Sequence, residues 1–208
     1  MARQDHFLPT VIVNKPYGVL SCFTDPLGRP TLASWIPLLE VYPAGRLDAA
    51  SEGLLLLTAN GALAHRVTDP RYKLPKTYLV QVDRIPSESS LQAIRTGILV
   101  KGQRTKPARV TLLPGEPRLW PRSVPIRFRK AVPTAWLCMT LWEGRNRQIR
   151  HMTAVIGHPT LRLVRIAIGA VALGSLLPGQ WRYVTAAEEE ALWTGSTKPL
   201  QGLRPSLG

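Results

Sequence analysis

The chain has 208 residues, 45% of them apolar, and carries 27 Lys plus Arg against 13 Asp plus Glu, a net charge of +14. That length suits one large domain or two small subdomains sharing a core, and the apolar fraction excludes wholesale disorder. No stretch reaches the roughly 18 apolar residues a membrane helix needs, and the N-terminus lacks the apolar run of a secretory signal, so a cytoplasmic protein is expected.

Along the chain, Val11-Ile-Val-Asn14 reads as a short buried strand, stopped by Lys15-Pro16 and turned at Tyr17-Gly18. Leu54-Leu-Leu-Leu-Thr58 is a continuous apolar run of strand length, expected to be covered on both faces. Asn60 caps a short helix through Thr68, and Lys76 to Val82 is a strand rich in β-branched residues. Ser87 caps a helix to Arg95, with Leu91 and Ile94 three apart on its apolar face. Residues 103–134 hold six of the nineteen prolines and read as irregular surface connections around one strand at Arg109 to Leu113. Ala135 to Trp142 is a strand, followed by a Gly144 turn and a helix from about Arg147 to Ile156 that stops at Gly157-His158-Pro159. Leu161 to Ile168 and Trp181 to Val184 are further strands. A short acidic helix around Glu188-Glu-Glu190 precedes a Gly/Pro/Ser tail expected to be mobile. Strands dominate without regular strand–helix alternation, which predicts an α+β fold with a mixed or mostly antiparallel sheet.

The charge is concentrated. Residues 101–151 hold twelve basic residues against Glu116 and Glu143, so this quarter of the chain carries 12 − 2 = +10. Most are Arg, whose planar fork binds phosphate and stacks on bases, so nucleic acid is the partner that fits this field best, and the competing reading is a solvated basic face. The two cysteines, Cys22 and Cys138, have no metal-like spacing and fit a reducing compartment. The four histidines lack ligand spacing and no phosphate loop is present, so neither a metal nor a nucleotide cofactor is expected.

Three places could carry chemistry. Ala44-Gly-Arg-Leu-Asp48 is a tight turn that sets Arg46 and Asp48 just before the buried Leu54–Thr58 run. A carboxylate there loses water, and staying ionised then requires a cation or several donors. The competing reading is an aspartate capping its own turn. Gly144-Arg-Asn-Arg-Gln-Ile-Arg150 places Arg147 and Arg150 three apart at a helix start, against the helix dipole unless an anion is present, with Ile149, Met152 and Val155 on the core side. Tyr78 alternates with Val80 and Val82 and so faces inward, either as a core residue or as a platform for an extruded base.

Taken together, these stretches resemble the pseudouridine synthases, in the branch that modifies ribosomal RNA uridines. The resemblance rests on Asn14-Lys-Pro-Tyr-Gly-Val-Leu20, Ala44 to Asp48 with Ser51 to Thr58, Lys76-Thr-Tyr78, Gly144 to Arg150, and Leu161 to Gly169, in order across residues 11 to about 185. Trp120 to Lys130 with Pro133 to Leu137 is similar to an insert of one type within that branch, which acts on large-subunit RNA. His151 stands where relatives usually carry another Arg.

The resemblance implies a long bent mixed sheet flanked by helices and loops, split into two subdomains around a central cleft. Residues 1–185 would form the catalytic domain, without a separate N-terminal RNA-binding module, and residues 186–208 a helix and tail. It further implies that a uridine is flipped out of its stem and stacks on Tyr78 while Asp48 acts on ribose or base to break the N1 glycosidic bond. Arg150 would pair with Asp48, Leu163 and Arg165 would line the pocket, and Arg46, Lys76, Arg127, Arg129, Lys130, Arg145 and Arg147 would hold the RNA. No cofactor is needed and a monomer is expected. The rival readings are a non-catalytic RNA-binding or ribosome-assembly protein on the same fold, and a metal-dependent nuclease, which would need clustered carboxylates.

Overall fold

The computed structural model describes residues 8–126 and 132–197, and its centre is one sheet. In chain order the elements are β1 (Thr10–Lys15), β2 (Tyr42–Pro43), β3 (Glu52–Thr58), α1 (Gly61–Thr68), β4 (Lys76–Asp83), α2 (Glu88–Thr96), β5 (Leu99–Val100), β6 (Gln103–Arg104), β7 (Arg109–Leu112), β8 (Thr134–Leu141), α3 (Gln148–Val155), β9 (Thr160–Ile168), β10 (Val171–Ala172), β11 (Trp181–Tyr183) and α4 (Ala186–Thr194).

The main sheet runs β11-β1-β3-β9-β4-β8-β7, with β2 added to β3 and β10 to β9, while β5 and β6 form a separate ribbon. Every pairing in it is antiparallel except the seam between β3 and β9, which is parallel and short, joining Glu52 to Val164 and Gly53 to Arg165. That seam divides the molecule. One half hangs on β1 and β3, the other on β4, β8 and β7, and β9 belongs to both. The expected α+β architecture, with a mixed sheet in two halves, is the one observed.

The apolar run of β3 is covered on both sides because its residues serve two cores in turn. Leu54 and Leu56 join Ile12, Leu63, Val67 and Leu192 under α1 and α4, whereas Leu55 and Leu57 join Val11, Val13, Leu32, Ile36 and Leu47 on the opposite face. A third core packs α2 and α3 on β4, β8 and β7 through Leu91, Ile94, Val80, Leu137, Met139, Ile149 and Met152.

The caps are where the side chains place them. Asn60 accepts from the Leu63 N–H and Ser87 from the Ser90 N–H. Thr185 and Glu188 form a reciprocal capping box on α4, whose Leu192 is fully buried, so this helix is docked on the core. Of the expected core face of α3, Ile149 and Met152 are buried, but Val155 is 58% exposed. The helix turns about 100° per residue, and the position that closes its apolar stripe is Ile156 instead. Arg127, Arg129 and Lys130, and the tail from residue 198, lie outside the described residues.

Candidate active site

The two halves enclose a cleft of about 700 Å³. One wall comes from the segments 20–29 and 46–51, the other from residues 143–148, and Tyr78, Leu141, Ile149 and Leu163 close the floor. Asp48 opens into it. Tyr78 reaches the floor because β4 is irregular against β9 between Thr77 and Tyr78, and its half-buried ring packs against cores of both halves.

The loop bearing Asp48 is tied down residue by residue. Leu47 donates its N–H to Ser21 Oγ at 3.0 Å and accepts back from that hydroxyl at 2.8 Å. The Asp48 carbonyl accepts from Ser51 N–H, and the Ala49 carbonyl from Gly18 N–H. Arg150 Nη2, from the opposite half, donates to the Ala50 carbonyl at 2.8 Å and approaches Ser51 Oγ at 3.5 Å. Among the described residues no hydrogen bond or ion pair engages the Asp48 carboxylate. The turn is held by its backbone and by other elements, so the reading of Asp48 as the cap of its own turn falls. The loop is thus held in place while its carboxylate, unengaged among the described residues, faces the cleft.

Beneath the loop lies Lys15, fully buried at the end of β1. Its Nζ donates to the carbonyls of Val19 at 2.7 Å, Pro16 at 2.9 Å and Ala49 at 3.4 Å. Burial pushes this ammonium down from 10.5 to about 8, with Glu52 and then Asp48 pulling the other way. Sequence reasoning gave Lys15 no role beyond ending a strand. The signal was there, since a lysine ending a strand read as buried needs hydrogen-bond acceptors for its ammonium.

Arg150 is half-buried, and burial followed by the nearby Arg147 guanidinium lowers its pKa, with Asp48 and Tyr17 opposing. The expected direct pair between Arg150 and Asp48 is absent among the described residues. The guanidinium fastens the backbone two residues further on, and it acts on Asp48 through space. Arg147 is not inside the helix with it. It is the N-cap of α3, in the left-handed conformation (φ 50°), and its exposed side chain lines the cleft.

Arg46 and Arg145 also line the cleft. Arg145 Nη2 donates to the Arg104 carbonyl, and its Nε lies 3.4 Å from Glu143. Gln148 braces the same turn, accepting from Arg145 N–H and donating to Glu143. Leu163 contributes to the floor as expected. Two other expected residues do not reach the cleft. Lys76 donates to the Val67 carbonyl at 2.8 Å, and burial lowers its pKa to about 8, helped by Arg165. Arg165 is buried under β3, its Nε donating to the Leu54 carbonyl at 2.7 Å. Their strand registers point both at neighbouring backbone instead of the cleft, although Arg165 Nη2 is buried without a hydrogen-bond partner among the described residues.

A buried ion pair was not foreseen. Arg162 grips Glu52 through Nε and Nη2, both at 2.9 Å, and Trp120 donates to the same carboxylate at 3.1 Å. Among the described residues no group of three or more His, Cys, Asp or Glu is placed to hold a metal ion, and no helix is long and apolar enough to cross a membrane.

Residues 9–155 match the family described as RNA pseudouridylate synthase. The chain is 59% identical over 174 residues to ribosomal large subunit pseudouridine synthase E of Xanthomonas campestris pv. campestris, covering 83% of this chain and 93% of that one. The enzyme of the same name from Vibrio vulnificus is 53% identical over 175 residues, 84% of this chain and 74% of its own. A crystal structure of a pseudouridylate synthase superposes with a TM-score of 0.74 at 32% identity, over 89% of this chain and 74% of that one. The Asp48 carboxylate on its braced loop, in a cleft between two sheet halves, thus sits in a fold and sequence shared with these enzymes: the chain belongs to the RNA pseudouridylate synthase family and is a pseudouridine synthase.

Proposed function

We propose that the chain isomerises a uridine of large-subunit ribosomal RNA to pseudouridine, as a monomer in the cytoplasm, with Asp48 as the catalytic residue. The observation that carries this reading is the Asp48 carboxylate, which has no hydrogen bond or ion pair among the described residues and sits on a loop whose backbone is fixed from four sides. The relatives named above as large-subunit synthases support the substrate class.

The uridine leaves its stem, at a cost of a few kcal/mol, and enters the cleft with its base on Tyr78 and Leu163. With Asp48 acting on ribose or base, the bond from C1′ to N1 breaks. The uracil turns and rejoins C1′ through C5. The proton on C5 then leaves, with Tyr78 assisting, and N1 gains one, so that product and substrate have the same atoms and no redox step occurs. Arg150 holds the loop and adds positive potential beside the carboxylate. Arg46, Arg145 and Arg147 at the rim, together with Arg127, Arg129 and Lys130, grip phosphates.

The test is Asp48→Asn, assayed on an unmodified transcript of large-subunit ribosomal RNA by chemical mapping of pseudouridine. Product should vanish while RNA affinity stays within about threefold of wild type, since one neutralised carboxylate outside the phosphate contacts changes binding little. Pseudouridine formation by the variant would sink the assignment, and would leave an RNA-binding protein without this chemistry.

A further inference from the structure

We infer that Arg122, oriented by the ring of Tyr17, forms with Arg150 a seat for one backbone phosphate of the RNA beside the Asp48 loop. This rests on the RNA-modifying function proposed above and adds two residues to its binding surface.

The segment after β7 is fastened to the strand that continues the catalytic loop. Trp120 Nε1 donates to Glu52 at the head of β3, and the Trp120 carbonyl accepts from Arg162 Nη2 at 2.9 Å. Glu52 and Arg162 are 1% and 7% exposed, so this anchor is set in the core. Two residues further on, the guanidinium of Arg122 lies 4.3 Å from the centre of the Tyr17 ring, and its Nε donates to the Val124 carbonyl. Tyr17 precedes Gly18, whose N–H holds the Ala49 carbonyl. The pair therefore stands next to the loop that Arg150 holds from the other side through Ala50.

The cluster carries the charge of an anion site: three guanidinium groups stand against one nearby carboxylate, Asp48, which none of them contacts. Among the described residues no carboxylate forms an ion pair with Arg122, Arg147 or Arg150. Besides burial, Arg147 and, more weakly, Arg122 depress the pKa of Arg150, so each of the two lies within electrostatic reach of it. Crowded cations of this kind cost stability until a counter-charge arrives, and a phosphodiester presents two acceptor oxygens to guanidinium forks. Because Arg122 covers a face of Tyr17, that ring serves to orient the guanidinium rather than to stack a base.

The full chain is titrated against the unmodified large-subunit transcript by filter binding between 50 and 300 mM KCl. Arg122→Gln should weaken binding about 5- to 20-fold at the low end and flatten the slope of log K against log salt by about one phosphate contact. Arg122→Lys should keep the wild-type slope with reduced affinity, since the charge remains but the fork is gone. Tyr17→Leu should lower affinity at constant slope. Wild-type affinity and slope in Arg122→Gln overturn the phosphate seat, as does an equal loss of slope in Arg122→Lys. Activity surviving in Asp48→Asn would defeat the catalytic reading alone, because that result leaves these slopes untouched.

Discussion

At Gly53 the two halves of the sheet meet backbone to backbone, and adding one methyl there should be strongly damaging. Its φ is +99°, and a Cβ built on it would lie 2.2 Å from the Arg165 carbonyl oxygen, 2.8 Å from Arg165 N and 3.0 Å from Arg165 C. These are backbone atoms of β9, which is paired with β3 on one side and β4 on the other, so no rotamer relieves the clash. Reaching an ordinary contact of about 3.4 Å requires the strands to part by roughly 1 Å. The positive φ adds about 1–2 kcal/mol for a residue with a side chain, and opening the two-pair seam forfeits one or two backbone hydrogen bonds at about 0.5–1.5 kcal/mol each. Gly53→Ala should therefore lose about 1.5–5 kcal/mol in urea unfolding. The parting of β3 from β9 moves the Asp48 loop away from Leu163, and a displacement of ~1 Å in a catalytic group can cost about 100-fold in rate. Gly174→Ala is the control, since it has φ +61° and nothing within 4 Å of the added methyl, so only the backbone term applies. If both variants lose the same stability, and single-turnover pseudouridine formation by Gly53→Ala equals wild type, the close approach at the seam has no consequence and the reasoning fails.

Glu52→Gln removes the counter-charge of buried Arg162 and should cost about 3–5 kcal/mol, read by urea denaturation, whereas a loss under 1 kcal/mol would show that water reaches the pair. The Lys15 ammonium makes stability depend on pH. Its folded pKa, about 8, lies below the ordinary value of 10.5, so between these values the unfolded chain holds a proton that the folded chain has released, and this contribution rises with pH. The gain is about 1.4 kcal/mol per pH unit and approaches 3 kcal/mol by pH 10.5. In Lys15→Met the slope of unfolding free energy against pH above 8 should fall by one proton's worth, and parallel slopes in the two proteins would exclude Lys15 as the titrating group.

The parts of this molecule that could be read from the chain are those governed by neighbours in sequence. Asn60 and Ser87 cap the helices their side chains favour, the Leu54 to Leu57 run is buried on both faces, and Tyr78 sits on the inward side of β4. The motif stretches that converge on the cleft were legible because each is a local turn or strand end. What could not be read depends on partners far away. Lys76 and Arg165 carry the charge of RNA-binding residues, but the register of β4 and β9 turns them onto the carbonyls of Val67 and Leu54. Arg150 and Asp48 were expected in direct contact, whereas the guanidinium finds the nearer carbonyl of Ala50. The left-handed cap at Arg147 and the Glu52–Arg162–Trp120 anchor leave no trace in any local pattern, since Glu52 meets its partners only when the parallel seam forms.

The parallel seam also bears on when the site comes into existence. Glu52 and Gly53 pair with Val164 and Arg165 across roughly half the chain, while the antiparallel pairs of β4 with β8 and of β1 with β3 bridge shorter stretches. Contacts of such high sequence separation carry a larger loop-closure cost than these and form more slowly, and only the pairing of β1 with β11 spans more of the chain among the described strands. During synthesis Asp48 leaves the ribosome long before Arg150 and Leu163 do, and a nascent chain lacking β9 has the carboxylate but not the complete cavity around it. Competence therefore arrives in one step, when the last long strand zips between the two halves.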